Sequence, residues 1–517
     1  MTIRFQPTPQ TAADPGDPRE AARRQHGRAP DPRIAPALLA QGAAAGSLER
    51  LLTGGALAVT TGQQAGLFTG PLYAVLKGLS AAALAAELSE GGTPHVPVFW
   101  VAGDDHDFAE INHTTVIGQD GRPVHIVLRE RPTDAPMLPA YREPVGEDGA
   151  RALDALEAAL PPSDFRTETL AWLRRGYAPG GAVSVAEAYA RVMAELLAPY
   201  GVVIARGWDG VLKSAATEVL LGAARNASVI DHALAALADR LRARGAPVPV
   251  DVGEGLSLLM LETPQGRDRL RITGPGRFQT RRGEAPVTVE ELEGIIAASP
   301  ERVSGNVLLR PVIEAAVFPT VAYLGGPGEL AYLAQTAPVF DLLRVARPAR
   351  LPRLSGFLVE AKVDKVLERF GLAPGDLAQS EGALASRIAR EDLPASAAAA
   401  LADLRSAVTE RYAAVQAEAA AVDKTLAKTV ESARNQALVG AQEIEKKLVA
   451  ALRRSNDTAI QQAARARDQL FPGGVPQERE VSVVSFLARH GRGVLDLLYG
   501  AARSHARRVL EAAPGGA

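Results

Sequence analysis

Cysteine is absent from the 517 residues. No disulfide, thiolate metal ligand or catalytic thiolate is therefore available, and covalent catalysis would fall to Ser, Thr, Lys or a carboxylate. A chain without cysteine also fits a cytoplasmic protein. Long apolar runs are missing too. The opening MTIRFQPTPQ lacks the apolar core of a signal peptide, and no stretch approaches the roughly 20 apolar residues that span a bilayer. Neither sign of charge is in marked excess: the formal net charge is −2 and the pI about 6.5, which argues against a general nucleic-acid binder. Proline is missing between Pro394 and Pro472, where Gly440 is the one glycine. These absences leave a soluble, cytoplasmic protein with one long helical segment and no membrane or nucleic-acid partner.

Hydrophobic residues make up 47% and charged residues 22%, ordinary for a globular enzyme, and the length predicts two or three domains. The stretch that organises the chain is PVFWVAGDDHDFAEINH, Pro97–His113. Val98–Ala102 reads as a buried strand, and after Gly103 come Asp104, Asp105, His106, Asp107, Glu110, Asn112 and His113. In an α/β protein, chemistry gathers where a buried strand ends in polar residues. Upstream, Leu57–Val59 reads as a first strand, TTGQQAGLFTGP as a glycine-rich loop, and Leu72–Leu88 as a helix with Gly70 as its N-cap. The helix start favours anions through its free amides and dipole, although the loop lacks the G-x-x-x-x-G-K-[ST] spacing of a P-loop. A crossover helix makes the two strands parallel neighbours, so Gln63, Gln64 and Thr69 should face the Asp104–Asp107 cluster. The plainer alternatives are a tight strand–helix connection and acids that cap the next helix.

Residues 8–31 read as an extended arm. Gly201–Ala205 reads as a return to the sheet, Val211–Gly245 as one long helix, and Ser257–Leu261 with Asp268–Ile272 as antiparallel strands. The core resumes at Asn306–Val312 and Phe318–Leu324. The latter runs into a glycine turn (Gly325, Gly326, Gly328) and a helix that carries Glu329 and Tyr332. Arg310 suits a carboxylate or phosphate ligand, or equally a core-edge ion pair; Lys77 reads as a solvated helix residue. From Leu401 to Leu452, apolar or small residues recur in fourteen steps over 51 residues, about 3.64 per step, close to the natural helix period. This predicts a helical hairpin whose turn lies at Asp423–Ser432 or Ser455–Thr458, with an alanine-rich seam suited to a dimer. The segment PQEREVSVVSFLARHGRGVLDLL should dock back on the core. The acidic loop suits three roles: a metal site, a carboxylate–histidine general base, or a grip on a substrate ammonium. His106 and His113 lie seven apart, without H-E-x-x-H spacing, which disfavours metal.

Several of these blocks are similar to one known family. TTGQQAGLFTGPLY (Thr60–Tyr73), PVFWVAGDDHDFAEINH, NVLLRPV (Asn306–Val312), PTVAYLGGPGELAYLAQ (Pro319–Gln335) and FPGGVPQER (Phe471–Arg479) resemble, in this order, the BshC family. That family is the cysteine-adding enzyme of bacillithiol biosynthesis. The resemblance implies an α/β, Rossmann-like parallel-sheet core with connecting insertions, and a helical coiled coil that forms a homodimer. The sequence itself places borders near 375 and 470, insertions near 118–200 and 228–304, and a final helical segment, 471–517, that returns to the core. The resemblance also implies a ligase that joins L-cysteine to glucosaminyl-malate; because a free carboxylate needs activation to form an amide, ATP, with or without Mg²⁺, is the expected cosubstrate, with no tightly bound cofactor. The related nucleotidylyl transferases carry a histidine signature after the first strand; TTGQQAGLFTG has no histidine. On this reading Asp104, His106 and Asp107 orient and deprotonate the glucosaminyl amine. Gln63, Gln64, Thr69 and the Gly325–Gly328 turn hold anionic groups, and Asn306 and Arg310 anchor malate. Asp105, Asn112, His113, Glu329 and Tyr332 complete the expected binding set. The rival readings are a metal-dependent hydrolase built on the acidic loop and a non-catalytic coiled-coil assembly protein.

Overall fold

A computed structural model describes residues 3–12, 15–177, 183–283, 285–391, 393–455 and 457–513. Ala13 and Asp14 of the expected arm, and Asn456 of the second turn candidate, lie outside them. The chain divides into two compact units, one of Met1–Leu358 with Glu478–Ala517 and one of Val359–Gln477. The divide thus falls at Leu358 and Glu478, against the expected 375 and 471. The amphipathic helix Ala361–Arg369 turns Val363 and Leu367 inward within the helical unit.

The first unit is built on a six-stranded sheet. Its strands are β1 (Leu38–Leu39), β2 (Leu57–Gln64), β3 (His95–Ala102), β4 (Val203–Arg206), β5 (Thr320–Gly325) and β6 (Ala349–Pro352), in the order β6-β5-β2-β3-β4-β1. All neighbours are parallel except β1, which runs antiparallel to β4. The sheet is Rossmann-like. The chain leaves β2 in one direction for β3 and β4, then returns to β2's other side for β5, so a topological switch point lies at the carboxyl end of β2, where such sheets bind ligands.

Period-two alternation divides the strand residues between two cores. Leu57, Val59, Phe99 and Val101 face one side, and Ala58, Val98 and Trp100 the other. Helix α1 (Leu72–Ser89) covers the first side and is itself overlain by the C-terminal helix Gly493–Ala512. Arg503 fixes that helix to Glu87 at 2.5 Å. By length and composition α1 could cross a bilayer, yet 78% of its apolar window is buried inside the fold. Its apolarity serves the core. The second side is covered by helix α2 (Arg310–Val317) and by a five-stranded antiparallel insertion that includes Leu256–Thr263 and Gly266–Gly274.

Four local expectations change. Pro18–Gln25 is a helix capped by the Asp17 side chain, with Ala21 buried, not part of an extended arm. Residues 211–245 form three helices, because the backbone leaves the helical region at Ala216 and Asn226. Asn306–Val312 is a turn leading into α2, since the Asn306 carboxamide accepts from Leu308 N and Leu309 N, both at 3.1 Å. Helix α1 begins at Leu72 with Pro71 as its cap, while Gly70 takes φ +62° one residue earlier.

In the second unit, α4 (Ala395–Val422) and α5 (Leu426–Ser455) form an antiparallel hairpin. At about 1.5 Å per residue each rod is roughly 45 Å long. The turn lies at the first of the two expected places: Asp423 Oδ1 accepts from both the backbone N and the hydroxyl of Thr425 at 2.8 Å.

Where the chain re-enters the first unit, Glu478 clasps it shut. Its carboxylate takes Arg353 Nη1 at 3.1 Å and Nη2 at 2.9 Å, Ser355 Oγ at 2.7 Å and Gly356 N at 3.1 Å. Both charged partners are buried. Breaking such a pair leaves an uncompensated buried charge, so Glu478→Gln should lower stability by about 3 kcal/mol in chemical denaturation, whereas replacing Arg353 and Glu478 together by Met and Leu should recover most of that loss. Gly103 presents a steric test. A Cβ there would come within 2.3 Å of Trp208 Cε3 and 2.9 Å of Ala186 Cβ. Gly103→Ala should therefore cost about 1–3 kcal/mol in the same measurement.

Candidate active site

A cavity of about 400 Å³ opens at the carboxyl ends of β2, β3 and β5. Of the residues expected from the sequence it gathers Gln63, Gln64, Asp104, Asp105, Asn306, Arg310, Gly326, Gly328, Glu329 and Tyr332. Tyr73, Arg267, Tyr323, Arg353 and Arg479 also line it. Strand alternation sends Gln63 and Gln64 to different partners: Gln63 Nε2 donates to Tyr73 Oη at 2.9 Å, and Gln64 Nε2 to Asp105 Oδ2 at 2.5 Å. Gly62 has to be small, because a Cβ would meet Arg310 Nη1 at 3.1 Å and the Trp100 carbonyl at 3.3 Å.

The cavity's floor is a chain of buried charges. Lys77, expected at a solvated position, is 2% exposed. Its ammonium donates to Gly62 O at 2.5 Å, Gln63 Oε1 at 3.0 Å and Glu329 Oε2 at 2.7 Å. Burial lowers the Lys77 pKa, with Glu329 opposing. Burial also pushes the Glu329 carboxyl up, but Lys77, the Gly326 amide and Arg310 together outweigh it and the net shift is downward. Glu329 further accepts from Tyr323 Oη at 3.0 Å and from Gly326 N at 3.0 Å, closing the first turn of α3 (Pro327–Gln335). Arg310 bonds Glu314 at 2.6 Å and Tyr323 Oη at 3.1 Å. Burial works against its charge, yet Tyr323 and Glu314 outweigh burial and raise its pKa. Arg310 is thus the core ion pair that the sequence allowed, and it also lines the cavity.

The acidic loop spreads its groups over different tasks. Asp105 Oδ1 accepts from His106 N at 2.7 Å and Asp107 N at 3.2 Å, so this carboxylate holds the turn together. Burial raises its pKa, but Arg267, Gln64 and the Asp107 amide outweigh that and lower it. Asp104 Oδ2 takes the fully buried Lys213 ammonium at 2.6 Å. Among the described residues Asp104 Oδ1 has no hydrogen-bond partner. The carboxylate oxygens of Asp105 and Glu329 are all engaged, so Asp104 offers the cavity its uncommitted acceptor.

Thr69, His106, Asp107, Asn112, His113 and Gly325 do not line the cavity. The Thr69 hydroxyl is wholly buried and bonded to Ser482 Oγ at 2.8 Å, and Leu72 N is taken by Val481 O at 2.8 Å. The loop after β2 is therefore a tight buried connection, and the first amide of its helix is already bonded. His106 lies behind Asp105, its Nδ1 buried without a partner and 3.7 Å from Asp105 Oδ1. Burial and then Arg267 lower its pKa, which favours the neutral ring. Asp107 is exposed at the start of helix Phe108–Ile111. Asn112 Nδ2 donates to Arg129 O at 2.8 Å, and His113 opens a hairpin strand, Nδ1 3.1 Å from Ala109 O. Gly325 is buried beneath Glu329. Among the described residues no group of three His, Asp or Glu side chains converges as a metal site.

Sequence reasoning missed Lys213, Arg267, Arg353 and Arg479. Arg479 stands in the FPGGVPQER block and was within reach. The other three sit in segments without a motif. Arg267 is held by neutral partners, Ser304 Oγ at 3.0 Å and Gly305 O at 2.8 Å. Arg479 is exposed at the cavity wall, without a hydrogen-bond or ion-pair partner among the described residues. Four guanidinium groups thus stand against three carboxylates in the lining.

Residues 36–354 match the model for "Bacillithiol biosynthesis BshC, N-terminal Rossmann-like domain", and residues 356–509 that for "Bacillithiol biosynthesis BshC, C-terminal coiled-coil domain". The chain is 31% identical over 466 residues to a Salinibacter ruber protein named "Putative cysteine ligase BshC", covering 88% of this chain and 83% of that one. Proteins of the same name from Koribacter versatilis and Heliobacterium modesticaldum are each 33% identical, over 457 and 464 residues. Each alignment covers 88% of this chain, with 84% and 83% of the respective relatives. With both its sheet unit and its helical unit matched, the chain belongs to the BshC family.

Proposed function

We propose that the protein is an amide-forming ligase that joins L-cysteine to glucosaminyl-malate, with ATP activating the cysteine carboxylate. The observation that carries this reading is the charge pattern at the switch point. Malate brings two carboxylates, and Arg267 and Arg479 are the guanidinium groups whose charge no bonded carboxylate neutralises. Arg310 and Asn306 shape the wall behind them. The glucosaminyl amine carries a positive charge until it reacts, and Asp104 presents the free carboxylate oxygen that fits it. Asp104 then orients the amine. His106 and Asp107, first expected to share that work, stand outside the cavity and act at most through the turn that Asp105 holds.

The names of the relatives support a cysteine ligase. A free carboxylate does not form an amide without activation, which is the reason for ATP. The absence of cysteine excludes a thioester on the protein. A cytoplasmic setting belongs to the same proposal. So does a homodimer through the helical hairpin, whose Val415, Val439 and Ile444 are about half exposed.

The test is reconstitution. Purified protein given L-cysteine, glucosaminyl-malate and ATP should yield bacillithiol and one nucleotide product per thiol formed, and Arg479→Met should raise KM for glucosaminyl-malate about tenfold or more. Thiol formation that proceeds equally well without ATP would remove the activation step, and no thiol formation under any of these conditions would remove the ligase.

A further inference from the structure

Two lysines are buried beside the cavity, and their surroundings differ. Lys77 has three acceptors: a carbonyl, a carboxamide and a carboxylate. Such an ammonium is fully occupied and serves the floor. Lys213 is equally buried, at 2% exposure, yet among the described residues it bonds one group, Asp104 Oδ2 at 2.6 Å. It stands on the short helix Gly210–Ala215, which follows β4 and is capped by the Asp209 side chain through Val211 N at 3.0 Å. It does not line the cavity. A buried ammonium with a single acceptor is costly, and in this place it holds one carboxylate from behind.

We propose that Lys213 is a positioning residue that aims the Asp104 carboxylate at the substrate amine. This rests on the ligase reading above. Gly103 begins the turn against Trp208, while Asp105 ties down the amides of His106 and Asp107. Neither contact sets the Asp104 side chain. Lys213 alone among the described residues bonds it, fixing Oδ2 so that Oδ1 remains the open acceptor. The other groups that act on the pair through space are Arg267, on Lys213, and Tyr141, itself bonded to Glu262, on Asp104; none of them bonds the pair.

The structure further assigns the direction of the effect. Asp104 serves the amine-bearing substrate, so loss of Lys213 should weaken that substrate and spare the others. Lys213→Met, which keeps the unbranched stem of the side chain without its ammonium, is expected to raise KM for glucosaminyl-malate about tenfold, with KM for L-cysteine and for ATP within about twofold of wild type. Asp104→Asn should show the same selectivity, and Lys213→Met added to Asp104→Asn should cost little more, because one residue acts through the other. Chemical rescue guards against a merely misfolded variant. Ethylammonium supplied to Lys213→Ala should restore bacillithiol formation saturably, and should restore none when Asp104→Asn is also present. If the wild-type protein makes bacillithiol but Lys213→Met changes all three KM values equally, or adds its full effect in the Asp104→Asn background, the positioning role is wrong. If the wild-type protein makes no bacillithiol, the ligase reading itself fails.

Discussion

The ion pair between Lys77 and Glu329 is the contact on which the rest of the site depends. Lys77 comes from the helix that joins β2 to β3, and Glu329 from the helix that follows β5. These are the elements on either side of the switch point, and the pair spans it at 2.7 Å. A buried ammonium must be satisfied on all sides or it destabilises the fold. Lys77 meets that demand by bonding Gly62 and Gln63 as well, which fixes the last residues of β2. Glu329 passes the constraint on to Tyr323 and Gly326, and Tyr323 to Arg310. One pair therefore holds three walls of the cavity in register.

That arrangement also decides which groups stay available. Most charges in the lining are already bonded: Arg310 to Glu314, Arg353 to Glu478, Asp105 to Gln64 and two amides. The groups left open, Asp104 Oδ1 and the guanidinium groups of Arg267 and Arg479, match the amine and the carboxylates of the proposed substrate. Recognition of this kind comes from a few free groups on a rigid, satisfied frame.

Much of the architecture was legible in the sequence. Apolar runs marked β2, β3 and β5, although Thr60–Gln64, read as loop, belong to β2, and the proline-free segment with a 3.64-residue period marked the hairpin. Gln64, Asp104, Asp105 and Glu329 were readable as cavity residues because each stands at or shortly after the end of a buried strand. What was not legible has identifiable causes. Lys77 read as solvated because one helix face looked sufficient, whereas α1 is covered on both sides. Thr69 read as a ligand group because its loop is rich in glycine, but Ser482, over 400 residues later, takes its hydroxyl. Lys213 and Arg267 come from segments whose local pattern says nothing of the cavity; only the return of the chain brings them there. His106 and Asp107 show the same limit at short range, since one turn around Asp105 decides which neighbours look inward.

The central claim is that the cavity at the ends of β2, β3 and β5 receives glucosaminyl-malate. Amide hydrogen exchange of the whole protein, with and without that compound, measures this most directly. The account expects slowed exchange in the segments that carry Gly62–Gln64, Asp104–Asp105, Asn306–Arg310 and Arg479, with the loop around Thr69 unchanged because its amides are already buried. Protection confined to segments away from these strand ends, with none at Asp104 or Arg479, would contradict it.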